Sequence, residues 1–196
     1  MGKQIHLKKI EELFRKSPVV EFNSIKRIIK SKNKHSSYTK LLIHNLLDKE
    51  KIKKIGKGVY TIHEDISLAV FVFKPAYLGL QSSLSHFGIW EQETVPIILT
   101  TKKVRRGIRK VLGRNILIRN IDKKYFFGFE FVKEGDFYLP YSDVEKTFID
   151  LIIFNSKLDR KILMKIKKII NEKKLNKYLE RYPERFRNKI RRLLDL

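Results

Sequence analysis

The side chains best suited to catalysis are acids and one lysine in the last third of the chain. Asp136, Glu145 and Lys146 are the residue types of a metal-dependent nuclease, which needs clustered carboxylates beside a lysine. Their spacing is loose, and Asp150 follows Glu145 by five residues, so the two are not stacked on one helix face. Glu145 also suits a capping box in which Ser142 is the N-cap. A small basic nuclease is therefore kept as an alternative, and we expect a protein that is not an enzyme.

Metal and cofactor sites have no clear sequence signature. The five histidines lack the ligand spacing of an HxxxH pair, and there is no cysteine to supply a thiolate or a disulfide. The GKG at 56–58 is not followed by a helix, as a phosphate-binding loop would be. We expect no metal and no cofactor.

Recognition of DNA is the chemistry that suits residues 36–62. Ser36 or Ser37 can cap a helix whose apolar stripe is Leu42, Ile43, Leu46 and Leu47, and a short alternating hairpin turns at GKG. In a helix-turn-helix, the start of such a helix reaches base edges, and lysines contact phosphates. The expected DNA contacts are Ser36, Ser37, Tyr38, Lys40, Leu41 and His44 on the helix, and Lys53, Lys54 and Lys57 on the hairpin. A solvated basic face, with His44 an ordinary exposed residue, is the plainer interpretation.

The large positive net charge of the chain favours a partner that is a polyanion or an acidic protein. The chain of 196 residues has 44 Lys and Arg against 21 Asp and Glu, a formal net charge of +23. Residues 1–62 alone carry 16 basic and 5 acidic residues. A second cluster, called the basic strip below, could contact flanking DNA or an acidic partner, or be a solvated loop. Its residues are Lys102, Lys103, Arg105, Arg106, Arg109 and Lys110.

The elements that must position these residues follow the order of a winged helix-turn-helix. Apolar spacing predicts a helix over 5–16, a short strand at 19–22, a helix capped by Asn23 or Ser24, a polar turn at 31–35, and then the recognition helix and hairpin. Beyond residue 62 we expect a strand in LAVFVF, a helix opening at Pro75, and a helix from Ser142 to about 155. Further strands are expected at 95–100, 116–120, 125–131 and 137–139, and helices from 158 to the end.

The predicted fold class is α+β. An N-terminal winged helix-turn-helix (1–62) is followed by a mixed α/β domain with a C-terminal helical bundle (63–196). The N-terminus lacks the apolar core of a signal peptide, and no apolar run is long enough to span a membrane. We therefore expect a soluble cytoplasmic protein without a membrane partner.

Three segments resemble the AbiEi-type antitoxins of type IV toxin–antitoxin systems, which are transcriptional regulators with an N-terminal winged helix. The segments are KKIGKGVYTI, AYLGLQSSLSHFGIWEQETVPIILTTKKVRR and YSDVEKTFIDLI. They match, in order, the family's short wing, its small-residue helix with the strand that follows, and its C-terminal Glu-Lys helix. Together they extend the likeness over most of the chain.

The resemblance implies two activities. One is repression of the protein's own operon through double-stranded promoter DNA, and the other is neutralisation of a nucleotidyltransferase toxin. Type IV systems are understood to act without a stable toxin–antitoxin complex, so none is assumed. The alternatives are a stand-alone winged-helix transcription factor with a sensing or dimerising C-terminal domain, and the small basic nuclease.

Overall fold

The computed structural model of the protein describes residues 2–29, 36–156 and 158–194. The chain divides into two compact units. The first comprises Met1–Val72 with Lys110–Arg114, and the second comprises Phe73–Arg109 with Asn115–Leu196. The fold class is α+β, as predicted.

Within its described residues, the first unit contains three α-helices and a small antiparallel sheet. Its helices are α1 (Gly2–Lys16), α2 (Phe22–Ile29) and α3 (Ser36–Asp48). Its strands are β1 (Val20–Glu21), β2 (Lys53–Gly56) and β3 (Val59–Thr61), in the spatial order β1-β3-β2. The polar turn predicted at 31–35 lies outside the described residues.

One apolar core holds these elements together. Ile10 and Phe14 of α1 pack with Ile25 of α2, Leu46 of α3 and Tyr60 of β3, all nearly inaccessible to solvent. Ile10 and Phe14 are four residues apart, so they lie on one face of α1, the face that packs on the core. The core thus fixes α3 and the β2–β3 hairpin relative to each other.

Most of a six-stranded mixed sheet lies in the second unit, in the order β6-β7-β5-β4-β9-β8, while Lys110–Arg114 at the β6–β7 connection are counted with the first unit. The strands are β4 (Ala76–Leu78), β5 (Ile97–Thr100), β6 (Gly107–Val111), β7 (Arg114–Asn120), β8 (Phe129–Glu134) and β9 (Phe137–Ser142). β4 is antiparallel to β5 and parallel to β9. β5 is parallel to β7, and β8 is antiparallel to β9.

Five α-helices complete the second unit. They are α4 (Gln81–His86), α5 (Val144–Ile153), α6 (Arg160–Ile169), α7 (Glu172–Leu179) and α8 (Glu184–Leu194) within the described ranges. Helix α5 is buried along most of its length, and its Phe148, Ile149 and Leu151 belong to the core of this unit.

The predicted elements that differ in the structure include two apolar segments beyond residue 62. LAVFVF lies in a 3-10 helix, Ile66–Phe73, and not in a strand. The helix expected from Pro75 is instead strand β4 followed by the short α4, and Leu80 precedes α4 with a φ of 55°. Most of each segment is buried, so its sequence lacks the regular alternation of apolar and polar residues that separates a helix from a strand.

The start of α5 is also corrected. Asp143, not Ser142, is the N-cap, and its side chain accepts a hydrogen bond from the Lys146 backbone N–H at 2.8 Å. Ser142 ends β9 instead, and its hydroxyl bonds with those of Ser83 and Thr147. Glu145 accepts from the backbone N–H of Asn171, so it is not the reciprocal partner in a capping box.

The predicted boundary after residue 62 differs from the division into compact units. The first unit extends to Val72 and includes Lys110–Arg114. In that unit the Val72 side chain packs on Gly56, where any added Cβ would lie 2.4 Å from Val72 Cγ1. The residues that follow β3 therefore belong with the hairpin.

Candidate functional site

Helix α3 presents two different faces. Leu42, Ile43 and Leu46 are buried in the core, while Lys40 and Leu41 are exposed, Leu41 to 58%. Ser37 is exposed at the start of the helix. Ser37, Lys40 and Leu41 of the predicted recognition face therefore lie on the solvent side of α3.

Three of the predicted α3 contacts have additional features. Tyr38 is half-buried and packs against the core, so only part of its ring is accessible. His44 is exposed, with Nδ1 2.7 Å from Oδ2 of Asp48 one turn later, which lets a protonated imidazole form an ion pair there. The side chain of Ser36 lies outside the described residues. Thr39, which the sequence analysis passed over, is fully buried.

The β2–β3 hairpin carries its lysines in two environments. Lys54 and Lys57 are exposed, the latter next to Gly58, whose φ of 70° closes the turn. Lys53 is half-buried and forms an ion pair with Glu64. The Arg114 guanidinium also donates to the Glu64 carbonyl oxygen. Lys54 and Lys57 are thus the two hairpin cations best placed for phosphate.

The basic strip is partly a strand and not only a loop, since β6 covers Gly107–Val111. All six of its cations are at least partly exposed, and Arg109 donates to the carbonyl oxygen of Arg105 at 2.9 Å. The apolar Ile108 between them is 68% exposed. The strip therefore combines a row of positive charge with one exposed aliphatic side chain.

A buried charged cluster in the second unit was missed by sequence reasoning. The Lys146 ammonium pairs with the Asp150 carboxylate one turn further along α5, and neither side chain is accessible to solvent. The Tyr77 hydroxyl donates to the other Asp150 oxygen at 2.7 Å. The Lys146 ammonium also lies 5.3 Å from the centre of the Phe127 ring. The spacing of Lys146 and Asp150, four residues apart, was the available signal.

Protonation in this cluster is governed by burial. Burial raises the pKa of the Asp150 carboxyl and lowers the pKa of the Lys146 ammonium, while the contact between the two opposes both shifts. Burial, with the Asp150 carboxylate beside it, raises the pKa of the Tyr77 hydroxyl well above its ordinary value. Tyr77 therefore stays a hydrogen-bond donor to Asp150 at neutral pH.

The start of α5 is tied to α7 by a second set of charges. Lys174 lies 3.1 Å from Asp143 and 3.2 Å from Glu145, and the Tyr178 hydroxyl donates to Asp143 at 2.7 Å. Burial and then the hydrogen bond to Asp143 raise the pKa of Tyr178 to about 12. Gly128 fits closely here, because a Cβ on it would lie 2.9 Å from Lys146 Cβ. These contacts thus join the start of α5 to α7 and to the residue that precedes β8.

The three residues that suggested a nuclease differ in their exposure to solvent. Asp136 is exposed between β8 and β9, whereas Glu145 and Lys146 are buried and bonded to the partners just described. Over residues 2–29, 36–156 and 158–194, no group of three or more His, Asp or Glu is arranged to hold a metal ion. Over the same ranges, no helix combines the length and apolarity needed to cross a membrane.

Comparison with known proteins gives a structural likeness. No protein-family model and no curated protein match the chain. The crystal structure of the RV2827C protein from Mycobacterium tuberculosis is similar with a TM-score of 0.62, over 97% of this chain and 76% of that one. The sequence identity is 11%, so this likeness concerns the fold alone.

Proposed function

We propose that the first unit is a winged helix-turn-helix that binds the promoter of the protein's own operon, and that the chain represses this operon. The observation that carries the proposal is the two-faced α3. Its Leu42, Ile43 and Leu46 hold it against the core, while Ser37 and Lys40 are presented to solvent. A basic two-stranded hairpin follows it directly.

Specificity and affinity are divided between the helix and the hairpin in this proposal. Ser37 and Lys40 can form hydrogen bonds with base edges, and the exposed Leu41 can contact a thymine methyl group. Lys54 and Lys57 neutralise phosphates, which contributes affinity without reading sequence. Lys53 contributes less because Glu64 already pairs with it.

We further propose that the chain is the antitoxin of a type IV system and counteracts a nucleotidyltransferase toxin. The support is the likeness of the segments around 77–106 and 145–152 to AbiEi-type antitoxins. In the second unit these segments form β4, α4, β5 and α5, which share one core. The neutralising activity is assigned to this unit, without a stable complex being required.

The salt dependence of DNA binding tests the role of the hairpin. Lys54→Ala and Lys57→Ala should each make the slope of log affinity against log salt less negative by about 1, because each removes one phosphate contact. Lys53→Ala should change the slope less. The measurement is a mobility-shift series over salt with the fragment upstream of the operon.

Lys173→Ala is the matched control for this series, since Lys173 is an exposed lysine on α7 of the second unit. It should leave the slope unchanged. A wild-type affinity that does not vary with salt, or equal slopes for all four variants, would contradict the assignment of Lys54 and Lys57.

A further inference from the structure

The two outer strands of the six-stranded sheet carry opposite charge. At one end, β8 and its turn into β9 contain Glu130, Glu134 and Asp136 against Lys133, a local net charge of −2 in a chain of +23. At the other end lies β6, preceded by most of the basic strip. Residues 102–109, the portion of the strip in the second unit, contain five cations and no acid.

Each end also exposes apolar side chains. Phe131 is 59% and Tyr138 is 57% exposed. Because Phe131 is opposite Pro140 and Lys133 is opposite Tyr138, the two aromatic rings are diagonal neighbours on one face of the β8–β9 hairpin. At the other end, Ile108 is 68% exposed. Paired exposed aromatics are typical of contact surfaces between proteins.

The acids of the hairpin are available to an incoming chain. Glu130 and Asp136 are exposed, and neither forms an ion pair within the described part of the chain. Glu134 accepts a hydrogen bond from the Tyr141 hydroxyl. Strand β8 is the terminal strand in the order of the sheet, so its outer side is the edge at which another chain can be accommodated.

We propose that the β8–β9 hairpin is a docking site for a second copy of this chain, which presents residues 102–109. The partner's Arg105 and Arg106 lie against Glu130 and Asp136, and its Ile108 lies against Phe131 and Tyr138. A symmetric contact of two hairpins is disfavoured, because it would bring the acids of both copies together. The long-range repulsion between two chains of +23 is screened beyond about 8 Å at 0.15 M salt, whereas close opposite charges remain attractive.

The contact is head-to-tail, since the two surfaces lie at opposite ends of one sheet. A copy whose hairpin is bound to a second chain still has its residues 102–109 free to bind a third, and a copy whose residues 102–109 are bound still has a free hairpin. Head-to-tail contacts of this kind produce an open series of copies unless the rotation between them closes a ring. This property separates the proposal from an ordinary symmetric dimer.

The test uses DNA-free full-length protein in sedimentation velocity at about 0.15 M salt. The hairpin variant is Glu130→Lys with Phe131→Ser, and the strip variant is Arg106→Gln with Ile108→Ser, so that the two altered surfaces do not attract each other. Wild-type protein should pass from monomer through dimer to larger species as its concentration rises. Each variant alone should remain monomeric, and an equimolar mixture should form dimers and stop there, since each variant supplies one intact surface.

The control variant is Lys173→Glu with Met164→Ser, which makes a similar change on α6 and α7, where Met164 is 55% exposed. It should associate like the wild type. All variants should have the wild-type circular dichroism spectrum and melting temperature. The proposal is overturned if the wild type stays monomeric at the highest concentration, if either variant associates alone, or if the mixture fails to form dimers.

Discussion

Lys146→Met should lower the free energy of unfolding by about 3–5 kcal/mol, because it leaves the Asp150 carboxylate buried without its cation. Both side chains are fully inaccessible, so water cannot replace the lost partner. Tyr77 remains hydrogen-bonded to Asp150 but cannot neutralise it. Urea unfolding followed by circular dichroism measures the change.

A second substitution keeps this prediction testable even if the single variant fails to fold. Lys146→Met with Asp150→Asn removes both charges and leaves an amide oxygen for the Tyr77 hydroxyl, so most of the lost stability should return. Lys165→Met is the surface control: Lys165 is half-buried and its partner Glu91 is 69% exposed, so the substitution should cost at most about 1 kcal/mol. Equal losses for Lys146→Met and Lys165→Met would show that the buried pair has no special role.

The second large effect is that substitutions in the first unit should greatly weaken DNA binding by the full-length chain and leave toxin neutralisation intact. The triple variant Lys40→Glu, Lys54→Glu, Lys57→Glu should bind the operon's upstream DNA about 100-fold more weakly or worse, since three contacts become repulsive. It should still rescue growth when the neighbouring toxin gene is expressed, because the neutralising activity is assigned to the second unit. Growth assays and mobility shifts on the same variant measure both activities.

A charge-matched variant excludes a general effect of net charge. Lys168→Glu, Lys173→Glu, Arg185→Glu also makes three reversals, on exposed residues of α6, α7 and α8. Each reversal removes two units, so both variants carry +17 instead of +23. The matched variant should keep its DNA affinity within about threefold, because the expected DNA contacts remain. Loss of rescue in the first variant alone would show that neutralisation depends on DNA binding.

Local patterns were enough to predict helices α1 and α3 and the β2–β3 hairpin of the first unit. The helical spacing of apolar residues in α1 and α3, and the alternation around GKG, depend on neighbours in sequence. The structure has α1 at Gly2–Lys16, α3 at Ser36–Asp48 and the two hairpin strands on either side of Lys57 and Gly58. How these elements act on DNA stays a prediction.

The second unit was harder to predict because its pairing is long-range. Strand β4 has only three residues and lies between β5 and β9, so nothing in its own sequence separates it from the helix that was expected. The buried pair was missed for a related reason. The Phe127 and Tyr77 rings near the Lys146 ammonium come from distant segments of the chain, and the sequence of the helix itself does not signal that they will be there.

Sequence-specific recognition by α3 is the central claim. The ratio of the dissociation constants for shuffled DNA and for the operon's upstream DNA tests it most directly. Dissociation constants are measured at fixed salt for the operon's upstream fragment and for a shuffled fragment of equal length and composition, with wild-type protein and with Lys40→Ala. We predict that the wild type prefers its own fragment, and that Lys40→Ala reduces this preference by about 1–3 kcal/mol while changing the affinity for shuffled DNA much less. Equal wild-type affinity for the two fragments would contradict the account.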